Sequence, residues 1–105
     1  MKILIVCDQG NNRSVTIAGQ LKYWGHDIIT CGVSKNSSET LEMLLVWCDR
    51  VITTEAGQWE QMPKGFDAKH QLWNVGPDNY PRPYNPELLK IVKGFMSQYK
   101  AEYKA

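Results

Sequence analysis

The chain has 105 residues, 43% hydrophobic and 22% charged, a length suited to one domain and a composition that is globular rather than disordered. Lys plus Arg is 12 against Asp plus Glu at 11, a formal net charge of +1, which argues against a protein whose main task is coating nucleic acid or anionic lipid. No apolar run approaches the roughly 20 residues that span a bilayer, and the apolar run after Lys2 is too short for a signal peptide. The 3 cysteines, Cys7, Cys31 and Cys48, are odd in number and lack framework spacing, so free thiols in a reducing cytoplasm are expected.

Lys2 to Val6 is a short run of Ile, Leu and Val and reads as a buried strand. Cys7-Asp8-Gln9-Gly10-Asn11-Asn12 is rich in turn formers. A helix follows with Ile17, Ala18, Leu21 and Trp24 on one face and Gly25 as its stop. Asp27 to Cys31 reads as a second strand. Asn36 with Glu39 forms a capping-box pattern, ahead of a helix whose Leu41, Leu44, Leu45 and Cys48 recur at helical spacing. Arg50 to Thr54 reads as a third strand. The stretch 55–69 accommodates a short helix broken at Pro63-Lys64-Gly65, and Gln71 to Val75 a fourth strand. Gly76 to Tyr84 (GPDNYPRPY) is a proline-rich loop. Asn85 as cap, Pro86 at the first helical position and Glu87 at the dipole's positive end then open a last helix, which buries Leu88, Val92, Phe95 and Tyr99. Residues 100–105 read as a frayed, solvated tail. Strands alternating with helices predict one α/β domain over residues 1–105, with four parallel strands covered by helices on both faces and ligands expected at the strand C-termini.

Residues Cys7 to Ser14 carry the chemistry. A thiol leaves the first strand, five residues intervene, and an arginine and a serine open a helix. Such a loop can turn its backbone N–H groups toward one point, where the helix dipole adds positive potential. Gly10, and Asn11 or Asn12, suit the left-handed conformations of a cradle formed by Asp8 to Arg13, Gln9 included. Arg13 can hold two phosphoryl oxygens with its planar fork. The same field favours the Cys7 thiolate, and Ser14 can donate a hydrogen bond to that sulfur. Asp8 sets a negative charge next to the nucleophile. At about 6 Å and an effective dielectric near 20, it would repel each unit of phosphate charge by roughly 2–3 kcal/mol.

The spacing Cys7–Arg13–Ser14 resembles the Cys-x5-Arg-Ser signature of cysteine-based phosphatases. Its place after the first strand resembles the low-molecular-weight protein tyrosine phosphatase superfamily, in particular a group of short bacterial members. Gly76-Pro77-Asp78-Asn79-Tyr80, ahead of Asn85-Pro86-Glu87-Leu88, is similar to a late segment of that group. The resemblance implies a phosphocysteine intermediate on Cys7, Arg13 as clamp, Ser14 as thiolate partner and Asp78 as general acid. Tyr80 and Tyr84 are then candidates to flank the mouth and stack on an aromatic leaving group. The implied substrate is a phosphotyrosine protein or a small phosphomonoester, with neither cofactor nor metal.

Other readings of the same loop are a non-catalytic module for a phosphate-bearing ligand, a sugar-phosphotransferase IIB subunit, and an arsenate reductase relaying a disulfide through a second thiol. Arg13 argues against the phosphoryl carrier. The positions of Cys31 and Cys48 favour plain burial over a redox role. His26 and His70 have no ligand-like spacing. Trp24, Trp47 and Trp73 read as core, Trp59 as core or cleft, and Lys64 and Arg82 as surface cations.

Overall fold

The structure is a computed structural model and describes residues 1–9, 12–77 and 79–104. In β1 (Lys2–Cys7) every side chain after Lys2 is buried, because strands flank it on both sides and both faces are covered. It pairs in parallel with β2 (Asp27–Gly32), from Lys2↔Asp27 to Cys7↔Gly32, and with β3 (Arg50–Thr53), from Ile3↔Arg50 to Val6↔Thr53. β4 (His70–Leu72) pairs in parallel with β3. The order β2-β1-β3-β4 completes the four-stranded parallel sheet that the alternation of elements predicts.

Alternation along the strands divides the core. Ile3, Ile5 and Ile52 face α1 (Arg13–Tyr23) and α3 (Pro86–Gln98), packing with Ile17, Leu21, Leu88, Val92 and the fully buried Trp73. Leu4, Val6, Cys31 and Val51 face the opposite way and meet Leu41 and Leu45 of α2 (Ser38–Trp47) together with Met62. α1 ends at Gly25, whose φ of 91° is the left-handed conformation a glycine adopts at no cost. Two short 3-10 turns, Trp59–Gln61 and Asp67–Lys69, lie either side of the predicted break at Pro63–Gly65. Among the described residues no helix is long and apolar enough to cross a membrane.

Several boundaries differ from expectation. The cap of α2 is Ser37, not Asn36: Ser37 Oγ accepts from the Thr40 amide at 3.2 Å, while the Asn36 side chain donates to the Gly32 carbonyl at 2.9 Å. β3 stops at Thr53, because the Thr54 amide turns to Gln58 Oε1 at 2.8 Å. β4 lies over 70–72 rather than 71–75, although the Trp73 and Val75 amides still donate to the Thr53 and Thr54 carbonyls at 2.9 and 3.0 Å. α3 buries Met96 with Leu88 and Val92, whereas Phe95 and Tyr99 are half-buried and stack on Trp73. The tail is not frayed over 100–103. It forms α4 (Lys100–Tyr103), anchored by a fully buried Tyr103 whose hydroxyl donates to Gln71 Oε1 at 2.8 Å.

Candidate active site

From β1 the chain passes outward to β2 and then returns across β1 to β3. The loops after β1 and β3 therefore flank the point where the strand order reverses, the crevice that open parallel sheets use for ligands. Cys7 ends β1 at this edge, and its side chain is 2% exposed. Ser14, in the first turn of α1, places Oγ 3.1 Å from Cys7 Sγ.

The head of α1 differs from those of α2 and α3. Ser37 and Asn85 cap those helices with side-chain oxygens, and Glu39 and Glu87 stand in their first turns. α1 has neither a side-chain cap from Asn12 nor an acidic first-turn residue, so its dipole acts on the sulfur uncompensated by a carboxylate of its own first turn. Asn12 is used otherwise. Its Nδ2 donates to the Tyr80 carbonyl at 2.9 Å, and its carbonyl accepts from Thr16 Oγ1 at 2.7 Å.

Arg13 is 1% exposed. One terminal nitrogen donates to Glu55 Oε1 and to the Gly76 carbonyl, both at 2.8 Å, and the other reaches Asp8 Oδ2 at 3.3 Å. Gly76 sits at φ 84°, a left-handed conformation that explains a glycine at this position. Asp8 does not stand as an isolated charge. One of its oxygens is paired with the guanidinium, and the other accepts from Gln58 Nε2 at 3.4 Å. Its side chain is 45% exposed and that of Glu55 32%, so both carboxylates stand at the solvent side of a buried cation.

The β2–α2 turn supports the loop from behind. The Val33 amide donates to the Cys7 carbonyl at 2.9 Å, and the Ser34 amide and hydroxyl both donate to the Asp8 carbonyl, at 3.0 and 2.7 Å. The exposed Gln9 lays its backbone against Gly32. Of the remaining predicted positions, Gly10, Asn11 and Asp78 lie outside the described residues. Tyr80 is half-buried against the core, and its hydroxyl donates to the Val75 carbonyl at 2.8 Å. Tyr84 has φ 61°, and its ring lies over Gly19 in the second turn of α1. Both hydroxyl ends are thus directed elsewhere than into the space between Cys7 and Arg13.

The other thiols take no part in this cluster. Cys31 pairs with Val6 and shares its face, so the alternation of β1 puts it on the side of the sheet opposite Cys7. Burial, with smaller contributions from Cys7 and Cys48, pushes the Cys31 thiol up to about 12. Burial also raises Cys48, against the opposing charge of Lys69. Both behave as small apolar side chains. Among the described residues no three His, Cys, Asp or Glu side chains gather as metal donors.

Glu55, Gln58 and Gly32 belong to this neighbourhood and have no motif of their own. Gln58 is buried and bridges the Thr54 and Glu55 amides to Asp8. The signal that could find them is positional: each lies in the loop after, or at the end of, a strand that adjoins β1.

The sequence matches no protein-family model and no curated protein sequence. Among solved structures it is similar to the YwlE arginine phosphatase from Geobacillus stearothermophilus, with a TM-score of 0.65 and 16% identity over 96% of this chain and 94% of that one. It is also similar to a thioredoxin-dependent arsenate reductase from Corynebacterium glutamicum, with a TM-score of 0.61 and 16% identity over 98% of this chain and 60% of that one. The parallel sheet, the thiol at the end of β1 and these two neighbours agree on one architecture: the chain has the fold of the low-molecular-weight tyrosine phosphatase-like proteins.

Proposed function

We propose that the chain is a cysteine-dependent phosphomonoesterase of the cytoplasm. Its substrate is a phosphorylated protein side chain, phosphotyrosine by the sequence resemblance, or a small phosphomonoester. The observation that carries this reading is the buried Cys7 sulfur 3.1 Å from Ser14 Oγ, at the uncapped head of a helix that also begins with the buried Arg13. Helix dipole, hydroxyl and guanidinium are the groups that would hold a bound oxyanion there.

In the proposed reaction the Cys7 thiolate attacks phosphorus, forming the S–P bond as the ester P–O bond breaks. The leaving oxygen takes its proton from Asp78. Water then attacks the phosphocysteine and gives a proton to Asp78, the S–P bond breaks, phosphate departs and the thiolate returns. Ser14 stabilises the departing sulfur. Arg13 and the loop amides hold the equatorial oxygens, a kind of contribution worth about 10²–10³ in rate for a single well-placed donor. For Arg13 to do so, Asp8 or Glu55 must yield part of the guanidinium.

The test is hydrolysis of 4-nitrophenyl phosphate with acid-quench mass spectrometry of the protein. A phosphate adduct on the peptide containing Cys7, and loss of turnover in Cys7→Ser, are expected; turnover that survives Cys7→Ser overturns the assignment. The binding-module reading is favoured by one observation, the two carboxylates on Arg13, and predicts phosphate binding with no adduct. The arsenate reductase reading finds no support in Cys31, which stands across the sheet from Cys7.

A further inference from the structure

Beside the Arg13–Glu55 ion pair lies a groove of about 240 Å³ lined by Thr53, Glu55, Trp59, Glu60, His70 and Leu72 among others. Most of its wall is apolar. Trp59 and His70 stack with ring centroids 4.2 Å apart and planes 2° from parallel, and Thr53 Oγ1 holds His70 Nε2 at 2.7 Å. The aromatic wall is thereby fixed, since the Trp59 indole also donates to Asp67 Oδ1 at 2.7 Å.

The charged side chains that line this groove have one sign, although Arg13 pairs with Glu55 and Lys64 Nζ donates to the Glu60 carbonyl at 3.3 Å. Glu55 and Glu60 line it, Asp67 stands behind Trp59, and neither Lys nor Arg is among its lining residues. Burial keeps His70 below its ordinary value, with Asp67 opposing the shift, so at neutral pH the imidazole adds little positive charge. An apolar trough with an indole wall and carboxylates at its rim complements a long aliphatic stem ending in a cation.

Glu55 is shared between the two places: it lines the groove and it holds Arg13 at 2.8 Å. A cation arriving in the groove competes for that carboxylate, and a Glu55 drawn toward it releases part of the guanidinium to a phosphoryl group. We propose that the groove takes a lysine or arginine side chain neighbouring the phosphorylated residue of a polypeptide substrate, making Glu55 and Glu60 the residues that determine specificity. The inference rests on the phosphoryl site proposed above and deepens it by naming the class of polypeptide that the site selects.

The experiment compares two phosphotyrosine peptides, identical except for flanking lysines or flanking glutamates, with 4-nitrophenyl phosphate as a reference without flanks. Wild-type protein and Glu60→Gln are assayed for turnover, and Cys7→Ser for peptide binding by calorimetry. The expected result is a kcat/KM about tenfold higher for the lysine peptide, falling to about threefold or less in Glu60→Gln, with 4-nitrophenyl phosphate turnover unchanged by that substitution. Equal or reversed preference, with 4-nitrophenyl phosphate still hydrolysed, overturns the groove assignment and leaves the phosphatase reading standing. Absence of turnover on every substrate removes the phosphatase reading alone. Binding to Cys7→Ser then decides the groove: tighter binding of the lysine peptide supports it, and equal binding overturns it.

Discussion

Gly32 lies against the backbone of Gln9 so closely that a β-carbon on it would stand 2.5 Å from the Gln9 carbonyl carbon and 2.7 Å from the Asp8 carbonyl oxygen. These neighbours are main chain, which cannot swing aside as a side-chain end can. Gly32→Ala therefore has to push the loop after Cys7 out of position, an overpacking cost of about 1–3 kcal/mol. The accompanying expectation is a loss of 4-nitrophenyl phosphate turnover of about tenfold or more, since small misplacements of catalytic groups are costly. Denaturant titration with an activity assay checks both. Full activity in Gly32→Ala would show that the loop position is not set by this contact.

Arg13→Lys retains the charge and loses the fork. A lysine cannot span Glu55, the Gly76 carbonyl and Asp8 together, as the guanidinium does from two nitrogens. Turnover is expected to fall by about 100-fold or more. Because both carboxylates are about a third or more exposed, the stability loss is discounted to about 1–2 kcal/mol. Steady-state kinetics read the first effect and thermal unfolding the second. Turnover within about fivefold of wild type would remove Arg13 from the proposed clamp.

Tyr103 tests whether the C-terminal segment belongs to the core. Its ring is fully buried, meets Trp73 edge-on at 5.7 Å, and its hydroxyl is satisfied by Gln71. Replacing it by alanine is expected to cost about 3–5 kcal/mol, the range for emptying a large aromatic site. Tyr103→Phe retains the ring and should cost about 1 kcal/mol through the lost hydrogen bond. Equal stability of the alanine variant and the wild type would make the segment dispensable.

His70 makes stability depend on pH. Burial holds its folded-state pKa below the ordinary 6.5, partly offset by Asp67, so between the two values the unfolded chain binds more protons. The stabilisation is then complete above pH 6.5 and is lost as pH falls toward the folded-state value. Chemical denaturation at pH 7.5, 6.5 and 5.5 is expected to show falling stability in wild type and a flatter profile in His70→Gln. The same slope in both proteins would assign it to other groups, and Glu102 is not one of them. The Arg50 hydrogen bond holds that carboxyl below the usual carboxylate range, so its contribution is present above that range and is lost only in more acidic solution.

What the chain determines by its order alone is local. Ile3 to Val6 and Val51 to Ile52 form strands because short runs of Ile, Leu and Val suit positions covered on both faces. Gly25 ends α1, and Asn85-Pro86-Glu87 opens α3, through backbone conformation and capping that act within a few neighbours. The thiol, arginine and serine of the first loop are legible for the same reason: their spacing spans one strand-to-helix turn, and β1 carries the thiol to the sheet edge. Adjacent residues cannot reveal that Glu55 and Gln58 reach Arg13 and Asp8, over separations of 42 and 50 residues. Nor do they show that Gly32 underlies Gln9, or that a polar tail hides Tyr103. Those meetings follow from parallel pairing of β1 with both β2 and β3, which gathers the ends of three strands at one edge. Packing against Trp73 then recruits whatever aromatic surface the chain's last turn can supply.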